Sequence, residues 1–469
     1  MRRVGFALLA GFAAAAEAAA QQPVKPAPKA RSCVFAVDYV GNTGSQQVIG
    51  ADTNYYAGGG VRLSCAGTSI RMSSDSLISM QRSGLVYFIG HVKYRDSLIT
   101  MDADRGTYYR NADRWEARGN VVTENLENGS TLTGPSLDYY RALPGTRDTA
   151  ELYAVGRPTI KSVTTDSAGK RGEPYVIVGD RVRIKGNDRT WAGGNVTINR
   201  SDFAAKGDSL FLDSGAGNFG VLVGQTQMPE MRGLGKDSFN LTGERIELTL
   251  EKREITYVKA LGEGHAVSAQ IDLVADTIGL DVDHRALVQT LAWGQGIRPR
   301  ALATDYEVRG DSIAFDTPGQ LLTQLRSFRK AWVGGKPDTA ARVLVDSTVP
   351  GKPRVDSLGH ERDWMSGDTV VATFGQWDSA GTKRTRLERL EASGSARSYY
   401  RVAESKIPGG LPSINYSRGD RIAVTMKPAG QRGVDRVDIH GQVDGIYLEP
   451  LPVVAPDTTK APKPGRRSR

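Results

Sequence analysis

The sequence predicts an all-β chain: an elongated, twisted β-jellyroll or β-solenoid built from repeated two-strand units, with two lobes in tandem as one arrangement. Three observations predict it. An apolar strand running into a Gly-x-small or Gly-x-Val step recurs along almost the whole of the 469 residues. A second step, Gly or Ala followed by Asp or Glu, one variable residue and then an aliphatic, also recurs. The segments that follow this second step alternate apolar and polar residues. Serial self-similarity marks a stack of one supersecondary unit, and period-2 alternation marks strands with one buried face.

Taken in order, the chain opens on Met1-Arg2-Arg3, an apolar run Val4–Ala16 and Ala18-Ala19-Ala20. That is the pattern of an export signal, so residues 1–20 are expected to be a signal peptide and the protein to be exported. The Pro/Lys/Ala stretch 21–31 reads as a flexible linker. A first lobe is expected over 32–165 and a second repeat array over 175–450, parted at the Ser/Asp/Gly-rich segment Ser162–Gly172. Residues 451–469 read as a disordered basic tail. The two cysteines, Cys33 and Cys65, fall in neighbouring predicted strands. Export permits a disulfide, and both a Cys33–Cys65 bridge and two free thiols stay open.

The first step appears as Val86–Val92, Trp115–Val121, Leu152–Pro158, Thr190–Val196, Val258–Gly264, Leu390–Ala396 and Val437–Val443. The acidic residues of the second fall at 180, 208, 244, 276, 311, 368 and 420, first about 28 to 36 residues apart and later over 50. Gly inside a strand pattern marks a bulge or bend. A Gly at the same place in every unit therefore predicts a corner, and the Asp predicts a polar turn before a strand. One such unit cannot bury its apolar face, so units must stack. Gln320–Val333 has some helical character, but Leu325–Ala331 matches the first step with Arg329 in place of its Gly, so it reads as a strand.

Alternation then names the inward side chains: Val92, Val121, Val182, Ile184, Val196, Leu210, Leu212, Ile246, Leu248, Leu250, Ile278, Ile313, Ile422 and Val424. On two facing sheets these make an apolar groove. A one-residue slip inverts every such assignment.

Composition and motifs narrow the function. Gly is abundant at 54 residues, Tyr is the main aromatic at 17, and net charge is +9. The charge lies partly in the two ends, where it either solubilises them or draws them to anionic surfaces. Nothing resembles a nucleic-acid recognition helix or finger. The five His show no zinc spacing, so no metal and no cofactor are expected. Gly207-Asp208-Ser209-Leu210 spells an esterase nucleophile block. The same four positions recur elsewhere as G-D-R-V, G-D-S-I and G-D-T-V, so Ser209 occupies a structural repeat position and no catalytic residue is assigned. A ligand-free structural or adhesive solenoid and a polysaccharide-active β-helix are the competing readings.

Tyr87–Asp104 and Glu116–Val122, with Gly90-His91-Val92, Ala103-Asp104, Tyr108-Tyr109 and Gly119-Asn120-Val121 in serial order, resemble the OstA-like family. This family includes the periplasmic lipopolysaccharide-transport protein LptA and the N-terminal domain of the translocon LptD. The match is strongest over residues 75–160 and repeats more weakly to about 450. It implies a periplasmic protein, associated or not with the outer membrane, and a twisted jellyroll whose groove carries lipopolysaccharide or a related glycolipid toward that membrane. The implied partners are other jellyroll transport proteins, joined by edge-strand pairing, and an outer-membrane translocon. No membrane-barrel strand pattern with aromatic girdles follows the repeats.

Overall fold

In the computed structural model the described residues are 33–449, apart from 43, 51, 144, 164–171, 235–237, 252–253, 269–270, 304–305, 336–361, 380–381, 403–412 and 429–432, and the side chains of 320, 377–379, 382–384 and 402. The expected signal peptide, linker and basic tail lie outside them. Apart from a short 3₁₀ turn, Pro318–Gln320, every described element is a strand, and all pairings are antiparallel. The chain is all-β.

The pairings resolve into two continuous ladders. The first leaf begins at Ser45–Ile49, passes through Asp52–Ala57 and Ser76–Met80, and ends at Val434–His440. The second begins at Phe35–Val40, passes through Val61–Cys65 and Arg71–Ser74, and ends at Asp444–Leu448. Long strands such as Leu85–Arg95, Arg114–Asn125, Arg189–Asn199 and Glu254–Ser268 belong to both, with one half in each leaf. Their pairing register shifts where they cross, between Ile89 and Val92 or Gly193 and Val196 for example. Both ladders run past residues 164–171: Thr159–Ser162 pairs with Tyr175–Val178, and Glu151–Val155 pairs with Arg181–Lys185.

The crossing points are the predicted Gly steps. At Gly119-Asn120 both residues have positive φ, 76° and 43°, a left-handed pair that bends the strand from one leaf into the other. Gly is needed there twice over. A Cβ on Gly119 would lie 2.4 Å from Asp104 Oδ2 on the adjoining strand. Asp104 in turn accepts a 2.9 Å hydrogen bond from Asn120 Nδ2. The acidic residue, expected in a turn of its own, is therefore the partner of the neighbouring strand's corner. Asp180 opposite Gly194, Asp368 opposite Gly394 and Asp420 opposite Gly441 repeat the arrangement. Two corners are loops instead. Asp208 accepts backbone N–H groups of Gln225 and Thr226, and Asp276 those of Gly296 and Ile297. Ser209 sits exposed on the outer face beside the first of these.

Gln324–Gly335 is a strand, as the repeat required, and keeps its corner without glycine: Arg329 and Lys330 stand at φ 54° and 51°. Cys33 and Cys65 form a disulfide, with Cα atoms 5.3 Å apart, beside the first strands of the second leaf.

Candidate functional site: an apolar slot between the leaves

Alternation aims every second side chain of each leaf at the other leaf. On the first leaf the row nearest the corners runs through Ala117, Leu137, Ala154, Val182, Ala192, Leu210 and Leu222 and on to Ile246, Ala260, Ile278, Ala292, Ile313, Ser327, Val370, Ala392 and Ile422. All of them are buried. Large and small residues alternate over much of this row, which lets the leaves meet closely at the corners.

A second row, one step nearer the open mouth, differs along its length. At the N-terminal end it runs Val86, Tyr108, Trp115, Tyr139. Tyr94 reaches over from the second leaf, its ring centroid 5.1 Å from Trp115 and 6.0 Å from Tyr139. Phe88 completes the cluster, 4.9 Å from Trp115. At the C-terminal end the same row runs Leu325, Ala372, Leu390, Val424, Val437. There the leaves enclose a slot of about 370 Å³. Its first-leaf wall includes Ala372, Phe374, Leu387, Leu390, Val424 and Met426, and its second-leaf wall Tyr306, Val308, Val333, Met365 and Tyr400. A smaller cavity of about 40 Å³ lies mid-chain, against Leu210, Leu212, Leu248, Leu250, Ile177 and Phe203.

The predicted inward residues divide accordingly. Val92, Val121 and Val196 are buried on the second leaf just past their corners, and Val182, Ile246, Ile278, Ile313 and Ile422 are buried in the corner row. Ile184 is half-buried and packs against the core. Leu210, Leu212, Leu248 and Leu250 border the small cavity, and Val424 borders the slot. Most of the slot's lining went unnamed in the sequence reading. Val308 lies in the four-residue strand Tyr306–Arg309, which gives little alternation to read, while Val333, Met365 and Tyr400 lie in the second-leaf parts of long strands, across a register shift from their first-leaf parts. Phe374 and Leu387 lie past a register irregularity between Thr373 and Phe374 that breaks the count.

Polar pairs tie the two rims across the mouth in the N-terminal and central parts. Asp96, in a second-leaf turn, accepts hydrogen bonds from Tyr94 (2.9 Å) and from first-leaf Tyr139 (2.8 Å). Arg141 stands between Asp96 and Asp113, 3.0 Å from the latter. Burial, and then the neighbouring Asp96 carboxylate, push the Tyr94 and Tyr139 hydroxyls well above the ordinary tyrosine range. Further along, Asn125 of the second leaf donates to Asn187 of the first at 2.8 Å. Arg200, buried on the second-leaf rim, donates to first-leaf Glu254 at 2.8 Å and also contacts Tyr175 and Asp202. Burial lifts Tyr175 to about 12. Burial disfavours the Arg200 cation, but the hydrogen bonds to Asp202 and Glu254 outweigh it and the pKa is raised.

Behind the slot, on the outer face of the second leaf, Glu307 accepts hydrogen bonds of 2.6 Å from each of Arg300, Arg309 and Arg362. Burial pushes this carboxyl up, and the three guanidinium bonds more than reverse that, to about 2. Arg309 and Arg362 lie over the Trp332 ring at 5.2 and 4.5 Å. The cluster fastens the outer side of the strands that form the slot's second-leaf wall. Among the described residues there is no group of three or more His, Cys, Asp or Glu side chains able to hold a metal.

Fold and site together define an all-β, two-leaved body with an apolar slot at one end of its interior. No family model matches the chain, and no curated protein matches it.

Proposed function

We propose that the protein is a periplasmic lipid-binding bridge, which holds an acyl chain of lipopolysaccharide or a related glycolipid in the slot and passes it toward the outer membrane. The observation that carries this reading is the slot itself. At about 370 Å³ it falls within the roughly 300–1,000 Å³ of small-molecule sites. Its walls are aliphatic and aromatic side chains drawn from both leaves. Each buried methylene contributes about 0.8 kcal/mol, so an acyl chain binds there without a charged anchor. Transport along such a surface needs contacts that are individually weak, and no catalytic group.

The ends of the ladders support the bridge. Val37, Tyr39, Val48 and Ile49 are exposed at one end, and Val434, Ile446, Tyr447 and Leu448 at the other. Open strand edges carrying apolar side chains suit pairing with another jellyroll protein or a translocon.

The test is mass spectrometry of lipids that co-purify with the full chain from a Gram-negative-type envelope, beside a Leu390→Trp variant. Tryptophan there gives the slot the aromatic filling of the N-terminal row. Stoichiometric lipid A-bearing glycolipid on the wild type, lost from a folded Leu390→Trp protein, is the expected result. A folded wild type free of lipid sinks the reading and leaves the structural solenoid.

A further inference from the structure

A second concave surface lies outside the leaves. Trp293, Ser312 and Phe328 are cross-strand neighbours on the first leaf, in the order Trp293–Ser312–Phe328. Each alternates with an inward residue (Ala292, Ile313, Ser327), so the three face outward. The small Ser312 forms the floor of a trough between two aromatic walls about 10 Å apart, twice the strand spacing, which leaves room for one flat ring. At its corner end the trough meets Arg298, Arg329 and Lys330, and the whole cleft has a volume of about 650 Å³.

The cations are the unusual part. At four other corners the residue in the second left-handed position answers a corner carboxylate, whereas Glu263 and Ser395 in that position do not. His91 Nδ1 lies 2.7 Å from Asp75, Asn120 donates to Asp104 at 2.9 Å, Arg157 to Asp180 at 3.0 Å and Asn195 to Asp180 at 3.2 Å. At this corner the carboxylate is Asp311, and Arg298 already pairs with it at 3.2 Å. Among the described residues Arg329 and Lys330 have no anionic partner, and both side chains are exposed. They also hold φ 54° and 51°, where the Gly-x corners place a glycine first. The second position carries a side chain at the Gly-x corners too, so the departure is Arg329, which takes the place of a glycine and sets an exposed cation beside Lys330; strain of this kind marks functional positions.

We propose that this cleft is a binding site for a phosphorylated saccharide, with Arg329 and Lys330 taking the phosphate and Trp293 and Phe328 flanking the sugar ring. Charge-assisted hydrogen bonds to phosphate are the strong ones, and an aromatic wall suits the apolar face of a sugar. A trough one ring wide admits a soluble sugar phosphate and excludes a flat membrane surface. The site lies on the outside of the body, apart from the slot, and stands independently of the lipid reading.

The experiment is calorimetric titration of the full chain with glucosamine 6-phosphate, beside glucosamine, inorganic phosphate and phosphatidylglycerol vesicles. The variant is Arg329→Gly with Lys330→Asn, which installs the Gly-Asn pair of the corners at 119 and 194 and so removes strain rather than adding it. The wild type is expected to bind the sugar phosphate at least about tenfold more tightly than either fragment, and the double variant to lose about tenfold in affinity with no fall in melting temperature. Lys330→Ser alone, matching Gly394-Ser395, should weaken binding by a smaller factor. Absence of binding, equal affinity in the double variant, phosphate bound as tightly as the sugar phosphate, or binding of vesicles alone would each overturn the proposal.

Discussion

The second inward row of the first leaf reads Val86, Tyr108, Trp115, Tyr139 at one end of the molecule and Leu325, Ala372, Leu390, Val424 at the other. Backbone pairing, corners and alternation are alike in the two regions. The N-terminal row closes the space between the leaves with rings that touch across them, and Asp96, Tyr139 and Arg141 fasten the rims. The C-terminal row leaves about 370 Å³ unfilled. Side-chain volume at one row thus decides whether the same two-leaved frame is a dry core or a container. Protein interiors are close-packed by default, so an unfilled stretch of otherwise regular repeat is the part to interrogate for a ligand.

The contrast can be broken most forcefully at Trp115, which is fully buried among Phe88, Tyr94 and Tyr108. Trp115→Ala is expected to cost about 3–5 kcal/mol, the range for emptying a large aromatic from a packed core. Urea unfolding followed by tryptophan-independent far-UV signal measures it. A loss below about 1 kcal/mol would mean that the N-terminal interior is as loosely filled as the C-terminal one.

Arg200 sharpens the boundary between the two regions, because its bond to Glu254 crosses the mouth between them. Arg200 is the buried member of the cluster, and its removal takes the guanidinium partner from Asp202, while Glu254 keeps Arg285 at 3.2 Å. Arg200→Ala is expected to destabilise by about 3 kcal/mol, the low end of the usual range, since Glu254 keeps some contact with water. Hydrogen exchange should show the loss concentrated in Arg189–Asn199 and Glu254–Ser268. A uniform change over the whole chain would show that the pair does not hold the rims locally.

The smallest expected effect concerns the wall behind the slot. The Glu307 carboxyl, held near 2 in the folded state, has an ordinary value of 4.5. A depressed carboxylate lends stability that is complete above its ordinary value and is lost as pH falls through the folded one. Thermal stability of the wild type should therefore decline between about pH 4.5 and 2, and Glu307→Gln should lack that part of the decline. Identical acid profiles for the two proteins would show that the three arginines do not stabilise the ionised form.

Much of this frame is legible in the chain. The Gly and Asp steps announce strands that bend at regular places, and the alternation after Asp180, Glu244 and Asp420 correctly turns Val182, Ile246 and Ile422 inward. The reading weakens where the pattern loses its marker. Strands such as Tyr306–Arg309 and Arg300–Ala303 are four residues long and offer no periodicity to count, yet Tyr306 and Val308 line the slot. A bulge between Thr373 and Phe374 shifts the count on the opposite wall. The loop corners Gly224–Pro229 and Gly294–Pro299 share the order Gly-Gln…Pro, a signal present in the chain that marks where a bent strand is replaced by a loop.

What the sequence by itself determined is the unit: strand, left-handed corner, strand, with one face apolar. Local sterics are enough for that, because only a few residue types enter the left-handed region readily and only alternation makes a half-buried strand. Which Asp answers which Gly was decided in three dimensions, since Asp104 and Gly119 meet across a ladder and not along the chain. The filling of the space between the leaves was decided there too. Tyr94 and Trp115 touch only because one strand bends over another, and Ala372 borders a slot whose other wall, Tyr306 and Tyr400 included, comes from the facing leaf. Periodicity fixes direction, whereas volume complementarity between distant strands exists only once the leaves have closed.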